Sequence, residues 1–178
     1  MRIFERMSSP SRRPKSGAMR EIERKFLIKK LPDDFAALPS EEIVQGYLAY
    51  EPGRCQVRVR RVRDERYANA EYYLTVKRRD GAVRDEVNIA LSKDNFDHLW
   101  PLTEGRRLQK TRTRILYRGL TIEVDVFQSG HEGLMLAEVE FPDEKRCADF
   151  APPPWLGKEV TDDKAYSNVR LACEAKAP

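Results

Sequence analysis

Apolar and charged residues alternate along this chain with a period of two, in segment after segment, and the charged positions carry both signs. Over residues 55–63, Val57 and Val59 alternate with Arg58 and Arg60. Over 120–127, Ile122, Val124 and Val126 alternate with Glu123 and Asp125, and over 135–141, Ala137, Val139 and Phe141 alternate with Glu138 and Glu140. Successive side chains of a strand point to opposite faces, so this period predicts strands with one apolar and one charged face. The first, residues 20–28, puts Ile22, Phe26 and Ile28 on the apolar face, broken only by Arg24, and Glu21, Glu23 and Lys25 on the other.

Further strands are expected over 43–50, 71–79, 82–91 and 107–117. Pro52-Gly53, Asp80-Gly81 and Arg118-Gly119 supply turns between neighbours. Residues 31–42, with Pro32 and Pro39, read as a polar connector. Ser92 fits the N-cap of an amphipathic helix of about ten residues through Phe96, Leu99 and Trp100, stopped by Pro101. A helix is expected to begin near Pro142, and Thr161-Asp162 to cap a last one with Val169 and Leu171 on its apolar side. About eight strands on short links make an antiparallel meander, and closure into a barrel would remove its edges.

Charged residues make up 35% of the chain, and its net charge is +4. Residues 1–18 carry Arg2, Arg6, Arg12, Arg13 and Lys15 against Glu5, which accounts for the whole excess. The body from Met19 to the end is therefore neutral, which argues against nucleic acid as partner. The Ser/Pro/Arg-rich 1–18 segment lacks periodicity and reads as a disordered basic tail, with a transit peptide as the rival reading. No apolar run is long enough to span a membrane. Cys55, Cys147 and Cys173 have no metal-site spacing and suggest free thiols in a reducing cytoplasm. His98 and His131 stand alone and read as structural.

Two architectures fit the charged faces. The sheet could pack its apolar face on a core and show its charges to solvent. It could instead close with charges inward around one small ligand, provided they are paired, wet or bound to ions. The residue types favour the second. Arg offers a planar fork to phosphate oxygens, and Glu-x-Glu pairs offer hard oxygen ligands to Mg²⁺ or Mn²⁺. A polyphosphate–metal complex needs both.

The Glu21-x-Glu23-x-Lys25 opening resembles the signature of the CYTH superfamily, the triphosphate tunnel metalloenzymes. Further motifs follow in the family's order: Gln45-Gly46-Tyr47-Leu48, Val57-Arg58-Val59-Arg60, Thr75-Val76-Lys77, Arg84-x-Glu86, Lys110-Thr111-Arg112, Glu123-Val124-Asp125, Ala137-Glu138-Val139-Glu140 and Glu159-Val160-Thr161-Asp162-Asp163. The resemblance implies a mainly β, eight-stranded antiparallel closed barrel with a few flanking helices, spanning residues 19–178. It implies metal ligands at Glu21, Glu23, Glu138 and Glu140, with Glu86, Glu123 and Asp125 as ligands or in support. It implies a phosphate cradle of Lys25, Arg58, Arg60, Lys77, Arg84, Lys110 and Arg112. Lys25 with Tyr47 is the implied alternative to a metal-activated water as catalytic base.

Three positions depart from the pattern: Asn88 stands where the family often has a third acid, Arg78 and Arg79 are extra charges, and Arg114 matches no motif. Among family members the chain looks most like the short bacterial inorganic triphosphatases. That implies Mg²⁺- or Mn²⁺-dependent hydrolysis of inorganic triphosphate, or of another triphosphate-bearing small molecule. A homodimer is an expected assembly. A thiamine triphosphatase, an adenylate cyclase and a non-catalytic polyphosphate- or nucleotide-binding tunnel are the alternatives.

Overall fold

The computed structural model describes residues 22–80 and 83–173. The proposed tail, residues 1–18, lies outside them, as does Glu21. Among the described residues nine strands form one antiparallel sheet: β1 Ile22–Ile28, β2 Ser40–Glu51, β3 Cys55–Asp64, β4 Glu71–Asp80, β5 Val83–Leu91, β6 Arg107–Tyr117, β7 Leu120–Gln128, β8 Met135–Phe141 and β9 Leu156–Glu159. Their order across the sheet is β5-β4-β3-β2-β6-β7-β8-β1-β9. The mainly β, antiparallel architecture is the one expected. Among the described residues the hydrogen-bonded ladder has nine strands rather than eight, with β5 and β9 at its ends and no hydrogen bonds between them.

The helices are short: α1 Lys93–Leu99, α2 Glu144–Ala148 and α3 Asn168–Cys173. Ser92 caps α1 by accepting the Asn95 N–H, as its sequence suggests. The helix is shorter than expected because Pro101 sits in a 3-10 turn, Trp100–Thr103, that follows directly. The expected cap of the last helix shifts. Asp163, not Thr161-Asp162, accepts the Ala165 N–H and starts a 3-10 turn, Lys164–Tyr166, and α3 begins after it. No helix among the described residues is long and apolar enough to cross a membrane. The three cysteines are unpaired.

Each face of the sheet has its own packing. On the apolar face Phe26, Ile122, Val124, Ala137 and Val139 are buried together with Phe141, Phe150 and Leu156. Phe96 of α1 lies against Tyr72, with ring centroids 5.1 Å apart and the planes tilted by 48°, and covers β4 on the same side. On the charged face an apolar plug closes one end. Val169, Leu171 and Ala172 of α3 pack there against Tyr47, Leu108, Phe127 and Leu136. Lys110 is 2% exposed although it belongs to the charged face, and its Nζ donates to Asn168 Oδ1 of α3 at 3.1 Å.

Gly46 lets β2 meet the turn before β6. A Cβ there would lie 2.4 Å from Thr103 Oγ1, and Thr103 is completely buried. The glycine of the Gln-Gly-Tyr-Leu motif is thus a requirement of close approach.

Candidate active site

Antiparallel register stacks the charged residues into cross-strand rows, because directly opposite residues share a face. Lys25 lies opposite Glu138 and Glu23 opposite Glu140 across β1 and β8. Glu138 lies opposite Glu123 across β8 and β7. Arg112 faces Asp125, and Arg114 faces Glu123, across β6 and β7. These strands make an acid-rich wall. A second row runs through Tyr47, Arg58, Thr75 and Asn88. Beside it Lys77 lies opposite Glu86, and Gln45 opposite Arg60. That wall is richer in cations.

The acid-rich wall is a network of ion pairs. Lys25 Nζ is 2.8 Å from Glu138 Oε1. Arg112 forks onto Asp125, with Nε to Oδ1 and Nη2 to Oδ2 both at 2.6 Å. The same guanidinium reaches Glu138 Oε2 at 3.1 Å and also binds Glu123. Lys110 Nζ donates to Asp125 Oδ2 at 2.5 Å. Arg114, which matched no motif, bridges Glu123 at 2.9 Å and Glu41 at 2.5 Å.

These contacts set the charge states. Burial opposes the charged form of Lys25, but Glu138, with Glu23 and Asp125 behind it, outweighs burial and holds the ammonium above its ordinary range. Burial also opposes ionisation of Glu138, and Lys25, Lys110 and Arg112 together hold it well below the carboxylate range. Lys110 goes the other way. Burial and the neighbouring Arg112 push it down to about 8, against the pull of Asp125 and Glu138. Burial raises Tyr47, against Arg58, Lys77 and Arg60. In the Lys25–Tyr47 pair, the implied alternative base, both groups are raised rather than lowered. As they stand, Lys25 is a protonated donor and Tyr47 a neutral phenol that accepts the Gln45 Nε2–H at 3.0 Å.

On the cation-rich wall Lys77 pairs with Glu86. Burial works against ionised Glu86, yet Lys77 and the Asn88 amide bring it down to about 2. Asn88 Nδ2 donates to Glu86 Oε1 at 2.8 Å, and Asn88 Oδ1 accepts Thr75 Oγ1–H at 2.6 Å. Arg58 hydrogen-bonds Tyr47 while its Nε is buried with no hydrogen-bond partner. Arg60 lies 5.9 Å from the centre of the Tyr73 ring. The side chain of Arg84 lies outside the described residues.

The expected metal ligands divide. Glu23, Glu123, Glu138 and Glu140 line one cavity of about 390 Å³. Asp125 lies behind it, 1% exposed and saturated by Lys110 and Arg112. Glu86 belongs to the other wall. Four carboxylates are the donor type that Mg²⁺ or Mn²⁺ takes. Among the described residues no three acids, histidines or cysteines converge closely enough to hold an ion as they stand, since Lys25, Arg112 and Arg114 occupy Glu138 and Glu123. The donor set fits a hard divalent ion, which Glu123 and Glu138 would hold only on release of the cations now paired with them.

The sequence motifs contain Gln45 and Thr75 without assigning them a role, and no motif contains Arg146. Gln45 had a signal, since it shares a strand face with Tyr47. Arg146 had none, because a short helix brings it to the cavity.

The chain is similar to known proteins over most of its length. Residues 19–166 match the family model described as CYTH domain. A curated inorganic triphosphatase of Nitrosomonas europaea is 43% identical over 86% of this chain and 97% of its own length. A second, of Acetivibrio thermocellus, is 35% identical over 85% of this chain and 92% of its own length. A solved inorganic triphosphatase structure superposes with a TM-score of 0.66 at 41% identity, covering 89% of this chain and 98% of the other.

Proposed function

The chain belongs to the CYTH family, and from that premise we propose that it hydrolyses inorganic triphosphate to pyrophosphate and phosphate. One observation carries the reading beyond the relatives' names. The charged face separates into a carboxylate-lined cavity and a wall bearing Arg58, Arg60 and Lys77. A triphosphate accompanied by a divalent ion is complementary to both.

In this reading Arg58, Arg60 and Lys77, with Arg84, receive phosphate oxygens. The buried Nε of Arg58 is a donor that a phosphate oxygen would satisfy. Mg²⁺ or Mn²⁺ would be held by Glu23, Glu138 and Glu140, with Glu21 and Glu123 alongside. When bound, the ion supplies neutralisation of charge on the phosphate oxygens. Phosphoryl transfer needs positioning and charge neutralisation more than covalent chemistry. Lys25 serves it as a donor on the acid-rich wall, Tyr47 holds Gln45 and Arg58 in place on the other, and Arg112 and Lys110 keep Asp125 and Glu138 ionised.

Phosphate release from inorganic triphosphate, thiamine triphosphate and ATP, each with Mg²⁺, Mn²⁺ or EDTA, tests the proposal. The expected result is the highest kcat/KM on inorganic triphosphate and loss of turnover in EDTA. Preference for either organic triphosphate overturns the substrate, and full activity in EDTA overturns the ion.

A further inference from the structure

The carboxylate cavity has one cation in its lining among the described residues, Arg146. The other cations beside these acids are already held: Lys25 by Glu138, Arg112 by Glu123 and Glu138, Arg114 by Glu123 and Glu41. Arg146 makes no ion pair with a described residue. Its backbone N–H is fixed by the α2 cap, donating to Asp143 Oδ1 at 2.7 Å. Its side chain reaches the β6–β7 turn, where Nη2 would be 3.8 Å from a Cβ on Gly119. Gly119 has φ +74°, so the turn itself selects the residue that leaves this space open. Arg146 therefore spans from helix to hairpin at the exposed rim of the cavity.

An unengaged guanidinium beside four carboxylates is suited to an anion that arrives with its own cation. The acids repel a bare polyphosphate. Once an ion neutralises them, the phosphate on the solvent side of that ion faces Arg146. We propose that Arg146 is a specificity-determining contact for the outermost phosphate of the polyphosphate–ion complex. The inference rests on the triphosphatase reading and adds to it a rim residue that holds substrate without belonging to either wall.

The test compares wild type with Arg146→Gln and Arg146→Lys. An exposed charge-assisted contact is worth up to a factor of roughly five. KM for inorganic triphosphate should rise by about that factor in Arg146→Gln, with kcat within about twofold and Tm unchanged, and Arg146→Lys should recover most of the loss. The calorimetric Kd of a non-hydrolysable imidotriphosphate, measured with saturating Mg²⁺, should rise alongside KM. The Mg²⁺ concentration for half-maximal activity should stay where it is. Unchanged KM and Kd, a fall in kcat at constant KM, or a shifted Mg²⁺ requirement each overturns the assignment. Arg58→Ala runs in parallel: if it too leaves turnover intact, the triphosphatase reading of the tunnel itself has failed.

Discussion

Arg24 and Glu159 form a two-pronged ion pair that ties β1 to β9, with Nε to Oε1 at 3.0 Å and Nη2 to Oε2 at 2.7 Å. Arg24 looked like a flaw in an apolar strand face. It lies instead between the Phe26 and Phe150 rings, 5.1 and 5.6 Å from their centres, and its Nη1 donates to the Phe150 carbonyl at 3.2 Å. Thr161 completes the tie by accepting the Lys25 N–H at 3.0 Å and donating to Glu159 at 2.7 Å. The Glu-Val-Thr-Asp-Asp motif thus pins the outer edge of β1 at the residue whose side chain enters the site.

Arg24→Ala should lower stability by about 1–2 kcal/mol, from lost ring contacts and hydrogen bonds to carbonyls. The hydrogen bond from Arg24 holds Glu159 below the ordinary carboxylate range. A depressed carboxylate stabilises the fold above its unfolded pKa, and that contribution is lost as pH falls through the folded value. The gap between wild type and variant should therefore be widest near neutrality and narrow in acid. Urea unfolding at pH 7 and near pH 3 measures it, and a gap that widens in acid would remove Glu159 as the partner that matters.

Arg58→Ala and Glu138→Gln should fail differently. Arg58 hydrogen-bonds Tyr47 and lies near Glu86, which Lys77 and Asn88 already hold, so its loss should leave the fold intact. It should weaken triphosphate binding by roughly 1.5–3 kcal/mol, the scale of a hydrogen bond to a charged group. Glu138→Gln removes an anion that Lys25 and Arg112 both contact. Metal affinity and kcat should fall together, and excess Mg²⁺ should restore part of the loss. Stability should also fall, because the cations lose a buried partner. kcat and KM across a metal titration, with Tm for each variant, separate the two. Identical kinetic profiles would erase the distinction between the walls.

Lys110 gives the site a pH signature. Its folded pKa, about 8, lies below the ordinary value of 10.5, with burial as the largest cause and Arg112 next. Below pH 8 the folded state bears the cost of keeping it protonated. Between pH 8 and 10.5 the unfolded chain holds more protons than the folded one, so stability rises with pH. Relative to Lys110→Met, wild type should gain up to roughly 3 kcal/mol across that interval. Chemical unfolding of both proteins at several pH values reads the difference, and parallel curves would mean that the lysine titrates normally.

The strands and their charged faces were legible because alternation survives wherever one side of a sheet is dry and the other wet. The family motifs added the roles. β9 was not legible: four residues, one of them glycine, follow a run of three prolines, and only pairing with β1 makes them a strand. The role of Gly46 depends on Thr103, and that of Arg24 on Phe150 and Glu159, all distant in sequence. The charge states were hidden for a related reason. Lys25 and Lys110 look alike on paper, yet Glu138 raises one, while burial and Arg112 lower the other.

Asn88 stands where an acid was expected, and its contacts say what an acid would disturb. Its amide nitrogen donates to Glu86 and its oxygen accepts from Thr75, which is completely buried. Asn88→Asp replaces the donor with a second anion next to Glu86. The new carboxylate can still accept from Thr75, so Tm near neutrality should fall only modestly. Glu86 loses a hydrogen bond that favours its ionised form and gains a like charge, so its pKa should rise from about 2. Lys77 is then drawn toward two carboxylates instead of one and is less available to phosphate. KM for inorganic triphosphate should rise severalfold with kcat nearly preserved, since this wall binds substrate and the acids of the ion cavity lie on other strands. The KM penalty should shrink as pH falls and the new acid protonates. A fall in kcat with no change in KM, or a penalty that grows in acid, would mean that β5 takes part in the chemistry and not only in holding the substrate.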